Sequence, residues 1–492
     1  MKVFDIIERD HSMRRSLTLL QLNDLHGYIE PHRELVREGG EWTFIELGGL
    51  ARIATLFDRV RQVTGGAVIA LDNGDTFHGT HVAVASRGHA LVPMMNALKI
   101  DAMTVHWEFA YTPTGVCDLA AKLDYPMLAI NCYRKDNGSL LLAPWRIVER
   151  GGLRVGIVGI ACPIVDKTMP RAFSEGVRFT IGNEELPGTI RHLRDSEGVD
   201  LVVVLSHLGF PQDVKLARET DGIDVIVSGH THNRMHEAIV ENGAIIFQSG
   251  CHGSFVGRLD LEVEAGRVAS HRHELIPIDD SLADDAKVAA MVEDALAPER
   301  VQMSEVVGHI DKPLHRYAMA QSSMDDILLR AIAGVGGTDL AFSNGWRYGA
   351  PIAPGPVTLN DLWNIIPTNP EVMTVQLTGA EIRTMIEENL ERTFSADPFG
   401  QMGGYVKRML GLKLFLKAEN PSGRRIDRLF AGSAEVQTDQ VYTVAFVTEQ
   451  GVPGKFGTGR AKTGVSAIDA LRRLFAMISI TKHEPVQTVF LA

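Results

Sequence analysis

Cysteine is scarce and scattered in this chain of 492 residues: Cys117, Cys132, Cys162 and Cys251 show no CxxC spacing. That argues against a zinc knuckle and a disulfide framework and fits a reducing compartment. No apolar run approaches the roughly 18 residues of a membrane span, so no membrane partner is expected. Basic charge is short as well, with 49 Lys and Arg against 61 Asp and Glu and a formal net charge of -12. A general binder of nucleic-acid polymers needs a basic face, and an acidic protein that handles anions must supply positive charge locally, for instance with metal ions. Internal repeats and low-complexity tracts are missing too. The glycines of VGIVGI lie inside a strand pattern, which makes that stretch a poor dinucleotide loop.

A chain this long is expected to build two cores. Up to about residue 280 the runs LTLLQL, GAVIAL, LRVGIVGI, DLVVVLS and DVIVS read as strands alternating with the helical patterns LARIATLFDRV and LPGTIRHLRDS, an α/β organisation. The acidic, alanine-rich stretch 279–300 predicts an amphipathic helix ending near Pro298, which gives a first domain over 1–280, a linker helix over 281–300 and a second domain over 301–492. The second domain mixes helices such as LTGAEIRTMIEENLERTF with short strands and many turn residues, an α+β pattern. Arg14 and Arg15 ahead of SLTLLQL faintly resemble a twin-arginine export signal, but the apolar run is short and lacks a small-residue cleavage site. A retained amino terminus and a cytoplasmic location are therefore expected.

Five polar clusters fall at or just beyond predicted strand ends: Asp24 and His26 in NDLHG, Asp75 in DNGDT, His106 in VHWEF, His207 in LSHLG, and His230 with His232 in SGHTH. Open α/β sheets place their sites there because side chains from several strands converge. An Asp-x-His pair at a strand exit points both side chains one way, as ligands of one cation require. Carboxylates and imidazoles without a thiolate suit manganese, zinc or iron. The set suffices for two cations sharing one carboxylate, and cations about 3.5–4 Å apart can bind the oxygens of an in-line displacement. A single Asp-x-His is more often a turn or capping pair than a ligand set. Five clusters all at strand exits are not explained that way. Asp72 and Asn73 read as ordinary turn residues, and His78 and His81 as solvent-facing.

In order along the chain, NDLHG, DNGDT, the H-W-E-F element, SH and GHTH resemble the calcineurin-like metallophosphoesterases, specifically the 5′-nucleotidase family with its C-terminal substrate domain. FQSGCHGSFVGRLDLEV (247–263) is similar to that family's closing strands, and GPVTLNDLWNIIPTNPEVMTVQLTGAEIRTMIE to the middle of its second domain. The resemblance implies a four-layer αββα first domain and a second domain that supplies much of the substrate pocket. It also implies one metal held by Asp24, His26, Asp75 and His232 and another by Asp75, His106, His207 and His230. Manganese is the first choice, with zinc or iron as alternatives.

One departure matters. Where nucleotidases read G-N-H-E-F-D, with the asparagine a ligand and the histidine, steadied by the aspartate, assisting the transition state, this chain has His106, Trp107 and Ala110. Imidazole can replace the amide as a ligand, but the proton donor is gone, and such help is worth about 10²–10⁴-fold. A persulfide, thiolate or phosphate leaving group needs little of it. The H-W-E-F element, FSNGWRYG (342–349) and SADPFGQMGGYVKRMLGL (395–412) are similar to the SoxB thiosulfohydrolase branch, whose members act outside the cytoplasm on a thiosulfonate borne by a carrier protein. Nucleotidases sandwich the base between two aromatic rings. Here Val406 holds the first position with Tyr405 one place off, and Phe456 stands for the second, although domain packing explains Trp346, Tyr405 and Phe456 equally well. The expected substrate contacts are Trp107, Asn344, Arg347, Tyr405 and Phe456, with Arg347 as an anion clamp beside Asp75 and His106 as catalytic residues. The expected reaction is attack of metal-activated hydroxide on the terminal phosphoryl group of a nucleotide-like or other small phosphate ester or anhydride. The alternatives are thiosulfohydrolysis of a protein-bound cysteine S-thiosulfonate, with a carrier-protein partner, and a metal-binding interaction protein without catalysis.

Overall fold

In the computed structural model residues 14–477 and 487–492 are described, and the expectation of a retained amino terminus falls on residues outside them. The strands Val68–Asp72, Leu201–Ser206 and Val225–Ser228 are buried along their whole length, the pattern of parallel strands covered on both faces. Arg15–Leu22, Val68–Asp72 and Ala102–Met103 lie parallel in a five-stranded sheet completed by the antiparallel strands Phe255–Glu264 and Arg267–Pro277. A six-stranded sheet has Leu153–Ile160, Leu201–Ser206, Val225–Ser228 and Ala244–Phe247 parallel at its centre, with an antiparallel strand at each edge. The sheets pack face to face, Leu17, Leu19 and Leu71 against Ile157, Val203 and Val227. Helix Leu50–Val63 covers the outer face of the first sheet and helix Phe210–Glu219 that of the second, which makes the layer order αββα.

A polar ladder ties the two sheets together at the edge where their parallel strands end. Gln21 Nε2 donates to Asn73 Oδ1 and to Ser228 O, both at 2.7 Å, while Asn73 Nδ2 donates to Ser206 O at 2.9 Å and Val227 O at 2.8 Å. Asn73 is thus a fully buried cross-sheet tie rather than the turn residue expected from its neighbours. Asp72 is buried as well, accepting from Gly74 N at 3.0 Å and Thr76 Oγ1 at 2.7 Å.

The linker helix is shorter than its composition suggests. It runs over Ala286–Leu296 with Asp285 as its cap, because Asp279 and Ser281 first close a turn. Its buried Val288 and Val292 belong to the core shared with helix Leu50–Val63, so it rests on the first domain. Beyond it, a five-stranded mixed sheet in the order Tyr405–Leu410, Leu340–Gly345, Val441–Phe446, Glu371–Thr378, Thr458–Ser466 carries the helices Ser323–Gly336 and Gly379–Phe394. Gly379–Phe394 starts at a reciprocal cap between Thr378 and Glu381. Ala350 N donates to Tyr28 Oη at 2.7 Å and Tyr317 Oη to Glu34 Oε1 at 2.7 Å, fastening this domain to the first. Among the described residues no helix is long and apolar enough to cross a membrane.

Candidate metal centre

The loops after five parallel strands bring the seven candidate ligands into two groups that share one residue: Asp24, His26, Asp75 and His232, and Asp75, His106, His207 and His230. The backbone is forced to do this. Asp24 (φ 46°), His26 (50°), Asp75 (54°), His230 (72°) and His232 (58°) all sit in the left-handed region, which non-glycine residues seldom occupy and which costs of order 1–3 kcal/mol each. Such residues mark places where geometry is held for a purpose.

Second contacts aim the ligands. His207 Nδ1 donates to Asn73 O and His26 Nδ1 to His78 O at 3.0 Å, turning each Nε2 toward Asp75, at 3.3 and 3.5 Å. His232 Nε2 lies 3.4 Å from Asp24 Oδ1 and 3.4 Å from His26 Nε2. Asp75 lies between the groups, 3.1 Å from His106 Nδ1, and accepts from Trp107 N at 2.7 Å. Glu108, fully buried, accepts from His106 N and Thr76 N, both at 2.8 Å, and so clamps the His106 turn against the Asp75 turn.

The donor set fits divalent cations. Asp24 Oδ1, His207 Nε2 and His230 Nε2 are buried without a hydrogen-bond partner, and leaving such groups unmatched costs about 1–3 kcal/mol apiece. Burial pushes His26 and His232 down to about 3 and, with the charge of Arg347, His230 well below the usual imidazole range, which favours the neutral form a metal ligand needs. Burial also opposes protonation of His106 and His207, but the Asp75 carboxylate outweighs it, lifting His106 well above its ordinary value and His207 up to about 10. Asp75 itself is held well below the carboxylate range because His106, His207 and His26 overcome its burial. Cations held here would take over the role that Asp75 otherwise favours for protons on His106 and His207.

The second domain closes over this centre. Tyr348 stacks on His26 with centroids 4.5 Å apart. Arg347 donates to His230 O at 3.2 Å and to Gly404 O at 3.3 Å, leaving its Nε unpartnered. Gly403 (φ 64°) passes so near that a Cβ there would collide with His230 Nε2, which explains the first of the paired glycines of GQMGGY. A cavity of about 800 Å³ opens between the domains, lined by His106, Trp107, Asn344, Arg347 and Tyr405 among others. Trp107 stacks on His78 at 4.8 Å and meets Tyr348 edge-on at 5.4 Å.

Three expectations are corrected. Phe456 packs in the second-domain core, 7% exposed, while Pro453, Gly454 and Lys455 before it reach the cavity. Val406 is buried in the same core, and Tyr405 has guanidinium groups, those of Arg347 and Arg408, 5.3 and 5.5 Å from its ring centroid, so the expected pair of stacking rings is not formed. His78 is 2% exposed rather than solvent-facing, and His81 bonds Glu299 at 2.6 Å. The sequence reading missed Tyr348 and Glu108. Tyr348 lies inside FSNGWRYG, and the buried acid of H-W-E-F was the available signal for Glu108.

Residues 17–234 match the calcineurin-like phosphoesterase family and residues 306–448 match the 5′-nucleotidase C-terminal domain. The chain is 23% identical over 87% of its length to the trifunctional nucleotide phosphoesterase protein YfkN of Bacillus subtilis, of which it spans 31%. It is 24% identical to the snake venom 5′-nucleotidase of Naja atra over 83% of each chain. Its fold is similar to that of the sulfate thiohydrolase SoxB of Thermus thermophilus, with a TM-score of 0.87, 24% identity and 96% of each chain covered. With both domains matched in order and the candidate ligand groups assembled in the first, the chain belongs to the 5′-nucleotidase family of calcineurin-like metallophosphoesterases, a family of hydrolases.

Proposed function

We propose that the protein hydrolyses the terminal phosphoryl group of a small phosphate ester or anhydride, a nucleotide among them, whose leaving group is weakly basic. The observation that carries this reading is the indole of Trp107, stacked on His78 and lining the cavity where an ionisable proton donor would otherwise stand. Asp24, His26, Asp75 and His232, and Asp75, His106, His207 and His230, would hold two divalent cations, which when bound would supply Lewis-acid charge and lower the pKa of water. Manganese is the proposed metal, with zinc or iron as alternatives, because the donors are imidazole nitrogen and carboxylate oxygen. The protein's own part is positional. Asp75 is fixed by His106 and the Trp107 amide, and Arg347 brings a guanidinium beside the centre that suits phosphoryl oxygens.

A series of phosphate esters graded by leaving-group pKa tests the reading with manganese-loaded protein. Rates should rise steeply with leaving-group acidity, and similar rates for alkyl and aryl esters would show that another residue supplies the proton. The H-W-E-F element and the SoxB-like fold support a second reading, thiosulfohydrolysis of a protein-bound cysteine S-thiosulfonate. Offering a cysteinyl S-thiosulfonate peptide in the same assay separates the two.

A further inference from the structure

Away from the ligand groups, the cavity wall formed by helix Gly379–Phe394 and strand Tyr405–Leu410 carries Arg392 and Lys407. Arg392 is half-buried and makes no ion pair among the described residues. Lys407 is 4% exposed, and its Nζ donates to Gln450 O at 2.7 Å and Gly451 O at 2.8 Å, with no carboxylate on it. Burial, and then the neighbouring charge of Arg392, push this ammonium down to about 7, with the Glu388 carboxylate pulling the other way.

The carboxylates of the same cavity outside the ligand groups are already engaged. Glu388 holds Lys455 at 2.6 Å, Asp166 holds Lys167 at 3.2 Å and Phe179 N at 2.9 Å, and Glu449 accepts from Gly454 N at 2.6 Å. In a chain of net charge -12, concentrated positive charge inside a cavity requires a reason. The wall also lacks the ring pair that would hold a nucleobase, since Val406 and Phe456 belong to the core behind it.

We propose that Arg392 and Lys407 form a second anion subsite, so that the preferred substrate is a doubly anionic, non-nucleoside small molecule. One anionic group reaches the metal ligands, and an oxyanion at the other end, phosphate or carboxylate, is held by these two cations. The inference rests on the hydrolase reading for what happens at the first group, but the subsite itself is a binding claim. Charge-assisted hydrogen bonds to one oxyanion should tighten binding roughly 10- to 100-fold.

The test compares two non-hydrolysable probes on manganese-loaded protein by calorimetry, butane-1,4-diyl bisphosphonate and butylphosphonate. The bisphosphonate should bind 10- to 100-fold more tightly, and the ratio should fall toward one in Arg392→Ala and in Lys407→Met. Arg392→Gln, at a half-buried position, serves if Lys407→Met does not fold. A ratio near one in the unaltered protein, or a ratio unchanged in folded Arg392 variants, overturns the subsite. Tight binding of 5-phosphonopentanoate would support it and assign a carboxylate, and tight binding of the bisphosphonate alone would support it and assign a phosphate. Hydrolysis of 4-nitrophenyl phosphate is followed in parallel. If it fails while the ratio persists, the hydrolase reading falls and the subsite stands.

Discussion

The sharpest perturbation is to rebuild a proton donor with Trp107→His and Ala110→Asp together. Both positions lie in the 3₁₀ turn Trp107–Tyr111, where residues three apart eclipse one another, so the new carboxylate would stand directly beside the new imidazole. Ala110 is half-buried and Trp107 is 6% exposed, which leaves the pair near the cavity but largely dry. A general acid is worth about 10²–10⁴-fold, or roughly 2.7–5.4 kcal/mol of barrier, for a basic leaving group and little for an acidic one. The double variant should therefore raise kcat/KM for alkyl phosphates by about that factor while leaving 4-nitrophenyl phosphate nearly unchanged, flattening the dependence on leaving-group pKa. Loss of the indole against His78 costs stability, for which the roughly 3–5 kcal/mol of a Trp→Ala truncation is an upper bound, so circular dichroism and thermal melting accompany the kinetics. A folded, metal-loaded double variant with an unchanged alkyl-to-aryl ratio would refute the reasoning about Trp107.

Other outcomes follow from single contacts. Asp75→Ala should abolish tight binding of both metals, and two tightly held ions in that variant by elemental analysis would remove Asp75 from its shared position between the groups. His106→Ala should lower metal occupancy, and His106→Asn should restore much of it through an amide ligand; full occupancy in the alanine variant would show that His106 is no ligand. Asp213 is fully buried, and burial raises its carboxyl from 3.8 to about 7. A raised acid stabilises the fold fully below the lower value and loses that contribution as pH climbs through the higher one, at most about 4 kcal/mol. Chelator-treated protein should thus melt lower at pH 8 than at pH 4 relative to Asp213→Asn, and parallel pH profiles would contradict this. Asp325 is held by Arg316 Nε at 2.9 Å and Arg408 Nε at 2.8 Å, all three buried. Asp325→Ala strands two guanidinium groups and should cost about 3–5 kcal/mol in urea unfolding; a loss below about 1 kcal/mol would mean that water reaches them.

Local features were the most legible in the sequence. The strands read as apolar runs, and each candidate cluster lies within a few residues of a strand end, so short windows were enough to single out Asp24, His26, Asp75, His106, His207, His230 and His232, which the fold gathers into two groups. The contacts that finish the centre link distant parts of the chain and leave no such trace. Tyr348 reaches His26 from the other domain, and the role of Asn73 depends on carbonyls of strands that begin more than a hundred residues later. Phe456 was misread for the converse reason. An aromatic residue near a loop of the expected motif is indistinguishable by pattern from one that fills a core.

All seven candidate ligands lie in the first domain, yet Tyr348 and Gly403 of the second cover His26 and His230. The cavity between the domains reaches His26, Asp75, His106, His230 and His232, so whatever arrives at these residues meets walls supplied by both domains, and a change confined to the second domain would reshape the site without touching a candidate ligand.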